Sequence, residues 1–558
     1  SQETQTPVDT SVRNFGGGVQ SYFLFLRFLV VLNFLSSLLI AGFVIIPSIV
    51  FRSVEDIPFN STGNQSYYWT QTFYLIRPGV GLVAFYNYFL DFLSGTGFIE
   101  YTYLFYGYYK NPLVGNINFS YNIPLAYLLT AAFYLLFCLF CIIARLVKLH
   151  HKIVFTGWDY GSSGHRATKL KQQNIYYRLQ VDLEEERIKK KAASLTQAQK
   201  AFLYSARIVL FILALGFIGA ATNLDQGVLG LFYEYLPSIV ITAANFIVPM
   251  LNDQLAPFER YSPSITIILA LFRAVFLRLV SLISVLFSLW RQITCDNNTE
   301  AANCETCQYN VKTYQCWETR VGQEMYKLTI FDLLINLAML ILVESPRRIV
   351  VDNWPNKLTQ WVGRQEFVVP NNVLGLVYGQ TVAWTGAFFC PLLPLINTLK
   401  FILLFYTKRI TLFQNCRPAL KTFRSTTSSF FFSVILLLGL GLASMVMIYS
   451  VGVIHPSMAC GPFRTFDTMW LVIPTAISKL SQTTQEFLFF IGSQSFSIPL
   501  FAFVMLCYVI SLAAVYKKSV TLMKTQLKLV SVSMDCPEHS HLFYVMTHDY
   551  CEVMDLTP

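Results

Sequence analysis

Between Cys316 and Leu334 the chain reads CWETRVGQEMYKLTIFDLL, and Ile335 to Val343 read INLAMLILV. Glu318, Arg320, Gln323, Glu324, Lys327, Asp332 and Asn336 thus lie in, or at the mouth of, a segment whose other end is apolar enough to enter a membrane. An ionisable side chain in hydrocarbon costs ~2.5–3.5 kcal/mol on insertion scales, so such groups face protein or water rather than lipid. At ~100° per residue, Arg320, Gln323, Glu324 and Lys327 share one arc, with Asp332 and Asn336 about 80–120° round from it. Glu324 and Lys327, three apart, can pair along the helix. These residues point to the wall of a polar conduit for ions or lipid headgroups. The plainer alternative is a buried ion-pair network that only holds helices together.

Other segments supply complementary groups. Arg273 and Arg278 interrupt the apolar run from 264 to 290, with Arg278 near its midpoint. Asp332 lies near the middle of the next span, and consecutive antiparallel spans bring equal depths together, so an Arg278–Asp332 pair is predicted. Asn245, between Pro237 and Pro249, and Gln380 and Thr381, among Ala383, Gly386 and Ala387, add polar groups in two further spans. The predicted path lining is therefore Glu324, Lys327, Asp332, Asn336, Asn245, Gln380 and Thr381.

The elements that must position these groups follow from composition. Hydrophobic residues are 54% and charged residues 13% of 558, against roughly 25% charged in a soluble domain. The chain is predicted to be an all-α polytopic membrane protein. Spans need ~20 mostly apolar residues, and ten segments qualify: about 22–51, 123–147, 203–222, 229–252, 264–290, 319–343, 372–390, 393–407, 428–454 and 494–516. The seventh and eighth are split by the Pro391/Pro394 hinge. The polar start, SQETQTPVDTSVRNFGGGVQ, and the long run after it do not read as a cleavable signal. A net charge of +10 calls for no nucleic acid, because cytoplasmic loops of membrane proteins are rich in Lys and Arg.

Charge also orients the set. The loop from Arg145 to Arg207 carries thirteen Lys/Arg against five Asp/Glu, and Lys408–Arg424 and Lys517–Lys528 carry only basic charges. Positive loops stay in the cytosol, which divides the chain into a cytosolic segment (1–21), spans one and two with an external loop (22–147) and a cytosolic basic region (148–202). Spans three to eight follow (203–407), with an external cysteine loop at 291–317, then spans nine and ten (408–516) and a cytosolic tail (517–558). The glycosylation sequons at Asn60, Asn64, Asn118 and Asn297 all fall outside on this scheme. So do Cys295, Cys304, Cys307 and Cys316, whose three possible disulfide pairings spacing cannot choose between. Cys460 is a further external thiol with no evident mate.

In the cytosolic region, Leu170, Ile175, Tyr176, Leu179 and Leu183 recur at 3- to 4-residue spacing on a basic helix. That stripe suits the inner leaflet or a partner that takes an amphipathic helix in a groove. Residues 468–491 resemble an external interfacial helix. Cys536, His548 and Cys551 in the tail match no standard zinc spacing. No phosphate loop, nucleophile elbow or HExxH motif occurs, so neither an enzyme nor a cofactor is expected.

CWETRVGQEMYKLTIFDLL closely resembles the signature of the transmembrane channel-like family. The resemblance extends to FGGGVQSYFLFLR (Phe15–Arg27), GFIEYTYLFYGYY (Gly97–Tyr109), VYGQTVAWTGAFFCPLLP (Val377–Pro394) and NCRPALKTFRSTTSSFFF (Asn415–Phe432). It implies a ten-span fold similar to the anoctamin channels and scramblases, usually a homodimer with a groove in each subunit lined by spans four to seven. It further implies a cation-conducting, mechanically gated pore with Glu324 and Asp332 as its acidic residues, and a calcium- and integrin-binding EF-hand partner on the helix at 169–191. A lipid scramblase and a non-conducting scaffold for cytosolic partners are the rival expectations.

Overall fold

The computed structural model describes residues 17–50, 82–109, 113–116, 119–156, 314–354, 369–417 and 425–500. It also describes scattered residues of 183–187, 275–294, 309–310, 365–367 and 502–521. The predicted third and fourth spans lie outside the described residues, with Asn245. So do Asn60, Asn64, Asn118, Asn297, Cys295, Cys304, Cys307, Leu170, Ile175, Tyr176 and Leu179; Leu183 is helical and exposed.

What is described is mostly helical. α1 (Gly17–Ile40) continues through a π-helical turn at Ala41–Ile45 into Ile46–Val50. α2 (Leu82–Ser94) precedes a short antiparallel hairpin, β1 (Leu113–Asn116) with β2 (Phe119–Asn122), in which Leu113 faces Asn122. α3 (Ile123–Thr156) follows, then α4 (Trp317–Ala338), a π-helical turn at Met339–Glu344 and α5 (Ser345–Asn353). α6 (Val369–Gly386) and α7 (Leu393–Ile410) are separated by a tight turn at the expected hinge, with Pro394 in the first turn of α7, where its missing N–H costs nothing. β3 (Gln365–Glu366) pairs in parallel with β4 (Cys416–Arg417), and α8 (Ser425–Gly452) closes the bundle. The chain divides at Pro474, and the second unit contains α9 (Gln482–Gly492).

Four described stretches are long and apolar enough to cross a membrane: Val19–Val50, Ile123–Leu146, Trp317–Asn353 and Phe432–Gly452. Their burial pattern shows what solvent they suit. Residues 321–329 of α4 are all buried although the segment includes Gln323, Glu324 and Lys327, whereas Ile341, Leu342 and Val343 are exposed. Exposed apolar side chains recur on the other helices, such as Leu24, Phe34 and Leu38 on α1, Phe140 on α3 and Met445 on α8. Polar groups inside and an apolar belt outside suit hydrocarbon and not water.

α6 is the axis of the bundle. Residues 376–390 are buried throughout, and α6 touches α1, α4, α7 and α8. Its sequence explains this: Gly375, Gly379, Ala383 and Gly386 leave room for neighbours to approach closely. Gly386 meets Leu393 and Met325, Thr381 meets Gly439 of α8, and the backbone of Phe389 meets Gly322 of α4.

Candidate functional site

α4 is positioned from both ends. At its start, Cys316 forms a disulfide with Cys460. This corrects the expectation that Cys316 pairs within its own four-cysteine loop and that Cys460 has no mate; the loop after α8 folds back over the start of α4, a contact between residues 144 apart in sequence. The same loop accepts and donates around it. Trp317 N–H donates to Ser457 Oγ (3.2 Å), the Trp317 indole N–H to the His455 carbonyl (2.9 Å), and Ser457 N–H to Glu318 Oε1 (2.8 Å). Ser457 Oγ also donates to Glu318 Oε2. Glu318 is therefore a structural carboxylate, fully buried and committed to that loop.

The aromatic segment 92–109 sheathes the next turns. Gln323 Nε2 donates to the Gly95 carbonyl (3.1 Å), Tyr326 Oη to the Phe92 carbonyl (2.9 Å), and Gly107 N–H to Thr319 Oγ1 (3.1 Å). Tyr106 stacks on Phe463 and packs at a tilt against Phe388, and burial drives its phenol well above the ordinary tyrosine range. Gly461 has φ +82, and a Cβ there would fall inside the Tyr106 ring. The sequence signals aromatic density here but not which helix it serves.

On α4 itself Glu324 binds two cations, Lys327 at 3.1 Å and Arg320 at 3.5 Å. Two turns on, Asp332 Oδ2 lies 2.7 Å from Lys400 Nζ of α7, and Asn336 Nδ2 donates to the Asp332 carbonyl (2.7 Å). The predicted partner of Asp332 was Arg278. Arg278 does lie within electrostatic reach of Asp332, but its Nη1 is directed at Gly375, where a Cβ would sit 3.4 Å away. Lys400 takes the direct contact, because Gly379 opens the space its ammonium fills: a Cβ at 379 would lie 2.8 Å from Nζ. The sequence analysis assigns no path residue to span eight, where the single Lys in LINTLKFILLF is the signal for this partner.

Gln380 and Thr381, predicted on the conduit wall, are fully buried elsewhere. Asn33 Nδ2 of α1 donates to Gln380 Oε1 (2.5 Å), Gln380 Nε2 donates to Asn33 Oδ1 (3.2 Å), and Asn397 Nδ2 of α7 donates to Gln380 Oε1 (3.3 Å). Thr381 Oγ1 donates back to the Val377 carbonyl (2.9 Å). Three amides thus join α1, α6 and α7, with polar side chains bonding helices together where no water reaches. Lone asparagines in otherwise apolar runs, Asn33 and Asn397, are the features a closer reading of the sequence would have flagged.

Among the described residues of α4, the polar side chains that keep some exposure lie on one ridge. Arg320, Glu324, Leu328, Asp332 and Asn336 follow at intervals of four, which forms one continuous row on a helix surface. Side-chain exposure is 32% at Arg320, 11% at Glu324 and 18% at Asp332, while Lys327 and Lys400 stand behind them at 0% and 2%. Leu328, midway, is 2% exposed and separates the two charged groups.

Comparison with known proteins gives the family. The model of a family described as the TMC domain matches residues 316–426, the stretch from the disulfide through α4, α6 and α7. The chain is 40% identical over 548 residues to the voltage-gated chloride channel TMC4 of Homo sapiens, covering 92% of this chain and 75% of that protein. It is 39% identical over 518 residues to transmembrane channel-like protein 8 of Homo sapiens, covering 87% and 69%. Transmembrane channel-like protein 5 of Homo sapiens is 29% identical over 480 residues, covering 81% and 42%. An apolar outer surface on membrane-length helices, with this likeness over most of its length, makes the chain an integral membrane protein and a member of the transmembrane channel-like family.

Proposed function

We propose that the protein is the pore-forming subunit of an ion channel whose path follows the α4 ridge and passes anions. The observation that carries the reading is the sign of the charge beside that ridge. Arg320, Lys327, Lys400 and Arg278 are four cations within reach of the two carboxylates Glu324 and Asp332. Glu318 adds a third carboxylate, held at the disulfide end by Ser457, and the balance stays positive. A net positive lining in a low-dielectric wall raises the local anion concentration and repels cations. The family resemblance, taken with the carboxylates alone, favours cations. Adding the four basic groups, two on α4 itself and two from neighbouring helices, reverses that preference. The chloride channel named among the relatives supports the same sign.

The test is flux in purified, reconstituted protein. Liposomes loaded with chloride should release it when valinomycin supplies a counter-ion path, and a dithionite assay on the same preparation should show no lipid flipping. Flipping without chloride release, or chloride retained with valinomycin present, would overturn the reading.

A further inference from the structure

Three spans converge on Asp332 at one depth. Asp332 is 15 residues into the 37-residue segment Trp317–Asn353, Gly379 is near the middle of α6, and Lys400 is near the middle of α7. Gly375 and Gly379 lie four apart on α6, so both face the same side. Such a pair of glycines ordinarily lets two helices touch. Here each admits a cation instead: the Arg278 guanidinium lies against Gly375 and the Lys400 ammonium against Gly379. Asp332 contacts the second at 2.7 Å and lies within electrostatic reach of the first. Lys400 is 2% exposed and its ammonium lies 5.9 Å from the Phe401 ring centre, whereas Asp332 keeps 18% of its side chain accessible on the ridge. The Lys400 ammonium is enclosed in protein. The carboxylate is the member with an exit.

We infer that Asp332 is a tethered anion, occupying a halide site built by Lys400 and Arg278 against the α6 glycines, and that conduction requires the carboxylate to swing out and a chloride to replace it. This rests on the anion-channel reading above and adds its gate. The chemistry is a like-for-like exchange: a carboxylate and a chloride each satisfy a buried ammonium, so neither state leaves a charge unpaired in a dry site, the costly outcome for buried ions. A carboxylate moving part of the way through the membrane field also makes the exchange depend on voltage.

The experiment is patch-clamp recording of the full chain in symmetric chloride, with surface labelling to normalise protein amount. Asp332→Asn removes the competing charge and keeps the shape; resting chloride conductance is expected to rise at least threefold and its voltage dependence to flatten. Lys400→Gln removes the site itself and is expected to lower chloride permeability relative to sodium at least threefold. The double variant should behave as Lys400→Gln. In the unmutated protein, replacing external chloride with gluconate, which cannot enter the site, should lower open probability at a fixed voltage; this arm needs no variant to fold. A fall in current with Asp332→Asn at normal surface level, or open probability indifferent to gluconate, would overturn the tethered-anion gate while leaving an anion channel standing. Absence of chloride current in the unmutated protein would overturn both.

Discussion

At the residue scale, the account turns on which side chains are spent on structure and which remain accessible. Glu318, Gln380 and Thr381 look as functional in the sequence as Glu324 and Asp332 do, yet they bond to Ser457, Asn33 with Asn397, and Val377 respectively. Residue type shows that a polar group must be satisfied inside a membrane; it does not show by what, since the partners lie anywhere from 4 to 347 positions away. The Glu324–Lys327 pair was legible because both members belong to one helical turn. Lys400 was not, since its meaning depends on a missing Cβ at Gly379. That dependence gives a paired prediction. Gly379→Ala places a methyl 2.8 Å from the Lys400 ammonium, the tip of a flexible chain, so the fold should survive while the contact with Asp332 is lost. Its chloride-to-sodium permeability ratio should fall toward that of Lys400→Gln. Gly375→Ala meets Arg278 at 3.4 Å, near ordinary contact, and should leave the ratio within about twofold of the unmutated protein, since surface-to-surface contact at that distance costs little. Outside the spans, burial pushes the Cys416 thiol up to about 12; Glu344 adds to this while Lys408 and Arg347 oppose it. A raised value keeps the neutral thiol dominant, so at pH 8 only on the order of one Cys416 in ten thousand is the reactive thiolate. Iodoacetamide should leave it unlabelled in the folded protein and label it in denaturant, as read by peptide mass spectrometry.

At the element scale, the long apolar helices were readable because length and hydropathy alone specify them: residues 22–51, 123–147 and 428–454 correspond to the membrane-length stretches Val19–Val50, Ile123–Leu146 and Phe432–Gly452 within a few positions. The polar helix was readable too, although its boundaries were not. Its expected range of 319–343 becomes a continuous segment from Trp317 to Asn353, passing through a π-helical turn one turn beyond Asn336. Such turns accompany functional sites and produce no hydropathy signal. The role of 92–109 as a sheath for α4 was also invisible, because it depends on backbone carbonyls of Phe92 and Gly95 accepting from α4 side chains. The amide cluster joining α1, α6 and α7 yields the prediction that belongs here. Gln380→Leu leaves the Asn33 and Asn397 amides without their shared acceptor, and an unmet buried hydrogen-bonding group costs ~1–3 kcal/mol. Thermal unfolding in detergent should move down by a few degrees, with ion selectivity unchanged. A shift in selectivity without loss of stability would put Gln380 back on the path.

At the scale of the whole molecule, the burial pattern decides the class: charged groups enclosed, leucine and phenylalanine outside, and a hub helix rich in glycine and alanine. Composition alone announced this, with 54% hydrophobic residues, and likeness to the relatives over 92% of the chain agrees. The sign of the ion proposed to pass is the part composition could not give. Net charge counts loops far from the α4 ridge, and of the two groups that decide the proposed sign Arg278 stood out in its apolar run whereas Lys400 did not. The measurement that bears most directly on the account is the reversal potential of the unmutated protein under a tenfold sodium chloride gradient. A path lined as described should carry chloride, so the reversal potential should approach the chloride equilibrium value, about 59 mV for a monovalent ion. A reversal potential of the opposite sign, following sodium, would contradict it.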